Sequence, residues 1–350
     1  NVSMIHTKII KMKSQTWKGK NGPLLIAEIG GNHEGDFRYA KKLTKLAIKS
    51  NVDVIKFQIY TGDTLVNKIQ SPQRHKHFKN FQLTRDQHIY LAEMCRDHNV
   101  KYLASVWDPN VLNWVDKYLT FYKIGSGDLT CYQLLKIFAK KGKPIILSSG
   151  LSSMKEINEA IKFLIYNNKK YKKKENLSVM QCTSSYPTQD SDANLRVITS
   201  LAKNKNITPG YSDHTFGSMA LKTAYSLGAK VLEFHFTDTR KNKLFRDHKV
   251  SLDLEETKKL IEDLKRISNL LGSHEKYPTK NEIKSKHTTS FRRGVYLNKN
   301  LQKGKIIKEK DLICLRPNVG IDARFYNRLI GKKTKRNILK LEKLSFNKNV

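Results

Sequence analysis

Eight short runs rich in β-branched and aromatic residues, seven of them separated by stretches with helical patterning and the last followed by one, constrain this chain more than any other feature. The runs are Leu24–Ile29, Val54–Gln58, Tyr102–Ser105, Phe121–Ile124, Ile145–Ser148, Val179–Cys182, Ile207–Tyr211 and Val231–His235. Helical patterning covers Phe37–Ser50, Arg85–Asn99 (after a long loop), Pro109–Lys117, Tyr132–Lys140, Met154–Tyr166, Asn194–Ala202, Ser218–Leu227 and Leu254–Leu271. Such alternation predicts a parallel α/β sheet, and eight units in about 250 residues is the content of a TIM (β/α)8 barrel. A doubly wound sheet competes, but Gly30-Gly-Asn-His-Glu-Gly after the first run does not match its GxGxxG turn.

After Leu271 the pattern changes. We expect the barrel domain to occupy residues 1–272, with the barrel itself from about 23, followed by a polar linker over 273–289 and a small β-rich module over 290–350. Strand-like pieces in that module are Gly294–Leu297, Asp311–Leu315 and Asn337–Leu339.

Nothing in the 350 residues approaches the roughly 20 apolar residues that span a bilayer. The stretch Met4–Lys13 interrupts its apolar residues with lysine, unlike a secretory core, so a cytoplasmic protein without a membrane partner is expected. Four isolated cysteines (Cys95, Cys131, Cys182, Cys314) form no CxxC pair and read as reduced, mostly buried thiols. The net charge of +35 raises the alternative of a non-catalytic protein that binds nucleic acid or another polyanion. The lysines are dispersed, however, and no basic run interleaves with aromatics, so no nucleic-acid partner is expected.

Polar residues gather at the ends of the eight runs. These are Glu28; Lys56 and Gln58; Ser105; Lys123, Ser126 and Asp128; Ser148; Thr183-Ser-Ser-Tyr186; Ser212-Asp-His214; and His235. A TIM barrel keeps its active site at the C-terminal ends of its strands, so one pocket would collect them. Two lysines with several serines suit a substrate bearing phosphate and carboxylate. His214 and His235 on neighbouring strands can share a metal while leaving positions open, and Glu28 can manage protons. Each also has a structural reading: Ser105 and Ser148 as helix caps, Lys56 as an ion-pair partner, each histidine as a hydrogen-bonding core residue.

The same residues resemble the sialic acid synthase family, whose members join phosphoenolpyruvate to N-acetylmannosamine or related sugars. The resemblance runs from about residue 23 to 345, through Ile26-Ala-Glu-Ile-Gly-Gly-Asn-His-Glu-Gly, Lys123-Ile-Gly-Ser-Gly-Asp, Gly142-Lys-Pro-Ile-Ile-Leu-Ser-Ser-Gly, Gln181-Cys-Thr-Ser-Ser-Tyr-Pro-Thr, Gly210-Tyr-Ser-Asp-His-Thr and Glu233-Phe-His-Phe-Thr. It implies a barrel followed by an antifreeze-like (SAF) domain, in a domain-swapped homodimer. It also implies phosphoenolpyruvate on Lys56, Ser105, Lys123, Ser126, Ser148 and Ser212, and a divalent metal (Mn2+, with Mg2+ or Co2+ as alternatives) on His214 and His235. Gln58, Asp128, Tyr186 and Asp247 would contact the sugar, and Arg316 of the second subunit would recognise its N-acetyl group. Glu28, Lys56, Lys123 and the two histidines would be the catalytic set. The implied reaction is condensation to a sialic-acid-type nonulosonic acid with release of phosphate by C–O cleavage.

This chain departs from the pattern mostly on the sugar side. Phe234 stands where Lys or Arg is usual, Asp128 where Glu is common, and Phe245-Arg-Asp247 where Gly-Pro-Asp is usual. Ser184 replaces a frequent Asn, and the RPGxG of the small domain reads Arg316-Pro-Asn-Val-Gly. The acceptor is therefore left open between N-acetylmannosamine and a diacetamido-trideoxy sugar leading to legionaminic- or pseudaminic-type acids. A second enzymatic alternative is a metal-free aldol-type lyase with Lys123 as Schiff-base nucleophile.

Overall fold

The computed structural model describes residues 16–350, so Met4–Lys13 lies outside it. The chain divides into two units at Gly272 and Ser273.

Among the described residues of the first unit, eight parallel strands close on themselves. They are β1 (Gly22–Glu28), β2 (Val54–Ile59), β3 (Lys101–Val106), β4 (Tyr122–Ile124), β5 (Ile145–Ser148), β6 (Leu177–Cys182), β7 (Thr208–Asp213) and β8 (Val231–His235). Each pairs with the next, and β8 returns to β1 in a register that sets Glu28 opposite His235. This is the TIM barrel, with a two-residue strand, Lys18–Gly19, hairpinned onto β1. The strands are buried on both faces, which is why they read as near-continuous apolar runs rather than as alternating ones.

Strand alternation explains where chemistry can sit. Glu28, Lys56, Ser105, Lys123, Ser148 and His235 lie at or near the C-terminal ends of their strands. Two residues earlier, on the same faces, come Ile26, Val54, Leu103, Phe121, Ile146 and Glu233, apolar except for the last. A polar layer thus caps an apolar barrel core. Outer helices begin where capping chemistry directs: Ser153 with Glu156, and Asp253 with Glu256, form reciprocal capping boxes.

In the first unit, two segments differ from the sequence expectation. The long loop after β2 contains a single turn, Gly62–Leu65, and a ten-residue helix, α1 (Pro72–Phe81). None of the residues of α1 is buried, so it lacks the apolar stripe by which a helix is recognised. Pro109–Lys117 breaks into 3-10 and α turns rather than one helix. Of the cysteines, Cys95 and Cys182 are buried, Cys314 is half-buried and Cys131 is exposed; all are free thiols. No described helix is long and apolar enough to cross a membrane.

The second unit has its own core of Val295, Leu297, Leu301, Ile307, Leu312, Ile321, Leu329, Ile338 and Leu344. Strands β9 (Gly294–Leu297) and β10 (Leu312–Leu315) pair antiparallel. The expected strand at Asn337–Leu339 is a single bridge between Ile338 and Leu301, because the Asn337 side chain accepts the Lys303 N–H and ends the ladder. The stretch expected as a linker carries two short helices, Lys280–Lys284 and His287–Ser290.

Candidate active site

A cavity of about 990 Å3 opens at the C-terminal ends of the barrel strands. Its lining includes Glu28, Lys56, Gln58, Ser105, Lys123, Ser126, Asp128, Ser148, Tyr186, Ser212, His214, His235 and Asp247. All the barrel residues given a catalytic, substrate or metal role from sequence meet there, whereas Thr183, Ser185 and Asp213 do not line the cavity. Arg316 belongs to the second unit, where it is exposed and stacks over Phe291 at 5.7 Å.

At the floor of the cavity, two ammonium groups share one carboxylate. Glu233 Oε1 lies 2.9 Å from Lys56 Nζ and 3.3 Å from Lys123 Nζ, and accepts from Ser212 Oγ at 3.2 Å. Burial opposes the charge on Glu233, but the two lysines outweigh it and hold the carboxyl down at about 2. For Lys56 too, burial is outweighed by its carboxylates, and it stays charged above the usual lysine range. In Lys123 burial wins and lowers the pKa; its amine donates to Ser148 Oγ at 2.7 Å. Glu233 has a sequence signal that a lone reading of strand ends passes over. It is the one charged residue within Val231–His235 besides the terminal histidine and, two residues before it, shares its face.

Glu28 sits 3.3 Å from Lys56 and accepts from Gln58 Nε2 at 2.8 Å. Burial is the largest influence on it and, with Glu233 nearby, raises its pKa to about 7. The folded state therefore keeps a proton that an unfolded chain gives up above the ordinary value of 4.5. The contribution to stability is fully present below pH 4.5 and is lost as pH rises through about 7. Glu28→Gln should remove this loss: the Tm difference between variant and parent grows in the variant's favour across that window. A difference that stays flat with pH would show that Glu28 titrates normally.

Across the cavity the rings of His214 and His235 stand 5.2 Å apart between centroids. Burial, first of all, lowers the pKa of both, so both are neutral, the form that ligates metals. His214 Nδ1 donates to the Thr183 carbonyl at 2.7 Å, which leaves Nε2 as a free lone pair. His235 Nδ1 is buried without a hydrogen-bond partner and lies 3.7 Å from Asp247 Oδ2. An orphaned imidazole nitrogen beside an oriented one fits a divalent ion. Among the described residues no group of three or more His, Cys, Asp or Glu is placed to enclose a metal, so such an ion would keep positions open for water or substrate. The Tyr186 ring lies 4.0 Å from that of His214, tilted by 33°.

On the opposite wall Asp128 is held by Trp107, yet burial raises its carboxyl to about 6. Gly150 allows close approach there: a Cβ would stand 2.3 Å from Ser184 Oγ and 2.8 Å from Ser126 Oγ, and its N–H donates to Ser126. Residues not anticipated from sequence also line the cavity. Trp107 follows β3, and Arg74, His77, Phe78 and Phe81 come from α1.

The NeuB family model matches residues 43–276, and a SAF domain model matches residues 292–347. The chain belongs to the NeuB family. N,N'-diacetyllegionaminic acid synthase of Legionella pneumophila is 32% identical over 329 residues, covering 90% of this chain and 91% of that protein. N-acetylneuraminate-9-phosphate synthase of Homo sapiens is 33% identical over 281 residues, covering 75% and 74%. The crystal structure of N-acetylneuraminic acid (sialic acid) synthetase from Leptospira borgpetersenii superposes with a TM-score of 0.70 at 28% identity, covering 76% of this chain and 90% of that one. This NeuB-family chain is accordingly an enzyme, a barrel synthase with a C-terminal SAF domain.

Proposed function

We propose that the enzyme condenses phosphoenolpyruvate with the open-chain aldehyde of an N-acetylated hexosamine, giving a sialic-acid-type nonulosonic acid and phosphate. The observation that carries this reading is the pairing, in one cavity, of a lysine-rich floor with two neutral imidazoles on neighbouring strands. The synthase names of its relatives point the same way.

In this reading Lys56 and Lys123, with Ser105, Ser126, Ser148 and Ser212, hold the phosphate and carboxylate of phosphoenolpyruvate in place, a fixed field that persists as charge shifts. His214 and His235 hold a divalent metal, most simply Mn2+, which when bound supplies Lewis-acid polarisation of the acceptor carbonyl. Gln58, Asp128, Tyr186 and Asp247 orient the acceptor so that its carbonyl carbon faces C3 of phosphoenolpyruvate. C3 bonds to that carbon as the aldehyde C=O π bond opens to an alkoxide, leaving an oxocarbenium at C2. Water adds there, its proton passes by way of Glu28 to the alkoxide, and the C2–O bond to phosphorus breaks to release phosphate and leave the C2 carbonyl. Glu28, poised near neutrality, takes the proton of the incoming water. Lys123 is tied to Ser148 and Glu233, an arrangement that supports electrostatic rather than Schiff-base use.

The test is phosphate release from phosphoenolpyruvate, Mn2+ and a panel of N-acetylated hexosamines, with a chelator control. Chelator-sensitive release with at least one member is expected; silence across the panel from folded protein overturns the proposal. Arg316 would complete the acceptor site of a second copy in a domain-swapped dimer. Mixing an Arg316→Ala chain with a His235→Ala chain should then restore activity that neither has alone, and no rescue would rule out sharing of the site.

A further inference from the structure

The lysines are dispersed along the sequence but not over the barrel. A TIM barrel has two rims: the mouth, built by the segments that follow its strands, and the opposite rim, built by those that precede them. Among the described residues, the segments after the strands (29–36, 60–84, 107–111, 125–131, 149–153, 183–196, 214–218 and 236–253) hold ten basic and ten acidic residues. Those before the strands (16–21, 50–53, 98–100, 116–121, 142–144, 168–176, 202–207 and 227–230) are less than half as long in total, yet hold twelve lysines against three carboxylates. A lysine-rich composition alone would load both rims alike. Here the mouth is balanced and the far rim is not.

Contacts join the basic segments into one face. The Trp17 indole N–H and the Thr208 hydroxyl both donate to the Lys174 carbonyl at 2.9 Å. Lys170 Nζ donates to the Gly142 carbonyl, and Lys143 Nζ to the carbonyls of Asp116 and Leu119. Eleven of the twelve lysines are exposed. Among the described residues only the half-buried Lys143 forms an ion pair, with Asp116 at 3.1 Å. Asp53 is buried, and its oxygens accept the Lys20 and Leu25 N–H groups at 2.8 and 2.9 Å. Of the three carboxylates, that leaves Glu175 exposed to offset the lysines.

Residue type narrows the partner. All twelve cations of this rim are lysine, whereas four of the ten at the mouth are arginine. Arginine forks grip phosphates bidentately and stack on bases, as nucleic-acid contacts require; lysine is a hydrated point charge that acts through a diffuse field. Tyr166, three residues before Lys169 at the end of the helix Met154–Asn167, is 86% exposed. One ring is too little to stack a strand of bases, but an amphipathic ring beside lysines suits the boundary between lipid headgroups and acyl chains.

We infer that this rim docks the barrel on a membrane surface carrying anionic lipid, with the cavity turned toward solvent. Such peripheral binding needs no spanning helix, so it replaces the expectation of no membrane partner. Each lysine brought within a Debye length of the surface strengthens binding by about fivefold, and salt shortens that reach.

The experiment sediments the full chain with phosphatidylcholine vesicles, with and without about 30% phosphatidylglycerol, at roughly 0.1 M and 0.5 M salt. Binding to the anionic vesicles should be at least about 10-fold tighter than to the neutral ones at low salt, and lost at high salt. Replacing Lys169, Lys172, Lys173 and Lys174 by Gln should weaken it by about 10-fold or more. Replacing four mouth lysines (Lys68, Lys76, Lys241 and Lys249) by Gln, the same loss of charge, should change it by less than about 3-fold. Tm measured on each variant confirms that the fold is kept. No preference for anionic vesicles, or equal weakening in the two variants, overturns the inference. So does a single-stranded RNA that the chain binds and anionic vesicles fail to displace. None of these outcomes bears on the condensation reading.

Discussion

His235→Ala should lower phosphate release by about 1,000-fold or more, equivalent to roughly 4 kcal/mol of transition-state stabilisation, while the protein stays folded. The side chain is buried yet neutral, and its Nδ1 satisfies no hydrogen bond within the protein, so its removal strands no charge and breaks no network. What it would take away is half of a two-imidazole metal site, and with it polarisation of the acceptor carbonyl, a contribution of several kcal/mol. His214→Ala should behave alike, with one difference: the Thr183 carbonyl loses its shorter hydrogen bond and keeps only that from the Thr188 hydroxyl at 3.2 Å, which adds a small stability cost. Metal content measured on the same samples separates the explanations. Full turnover, or unchanged bound metal, in either variant would remove the histidines from the metal role.

Glu233→Ala should cost about 3–5 kcal/mol of stability, because it leaves two buried ammonium groups without their shared counter-charge. For a unit of this size each kcal/mol shifts Tm by roughly 2–4 °C, so a drop on the order of 10 °C is expected. Lys56 would keep Glu28 at 3.3 Å, but Lys123 would keep only the Ser148 hydroxyl. Glu233→Gln should fall between, since it retains an acceptor oxygen near both amines. Both variants should raise the KM for phosphoenolpyruvate more than that for the sugar, because the lysines that Glu233 spaces are those proposed to hold the anion. An unchanged Tm in Glu233→Ala would show that the lysines are neutral or hydrated.

The barrel was legible because its strands are buried on both faces and interrupt their apolar runs chiefly where the cavity begins, with exceptions such as the buried Ser178 of β6. Lys56, Lys123, Ser148 and His235 stood out as polar residues at the ends of β-branched runs, and the structure gathers them in one cavity. Helix α1 was not legible. Its residues are partly or fully exposed, so the 3.6-residue pattern that marks a packed helix is missing, and with it went Arg74, His77 and Phe81. Glu233 was visible as a residue but not as the partner of two lysines on β2 and β4, a relation that depends on barrel closure rather than on local spacing. Trp107 likewise reaches Asp128 only because β3 and β4 are neighbours.

The measurement that bears most directly on the central claim uses phosphoenolpyruvate carrying heavy oxygen in the bridge between C2 and phosphorus. It is incubated with the enzyme, Mn2+ and the acetamido-sugar panel, and the phosphate and sugar-acid product are weighed by mass spectrometry. The label should leave with phosphate, and the product should equal acceptor plus pyruvate with its C2 oxygen drawn from water. Label retained in the sugar acid would contradict C–O cleavage, and no product from any acceptor would contradict the condensation itself.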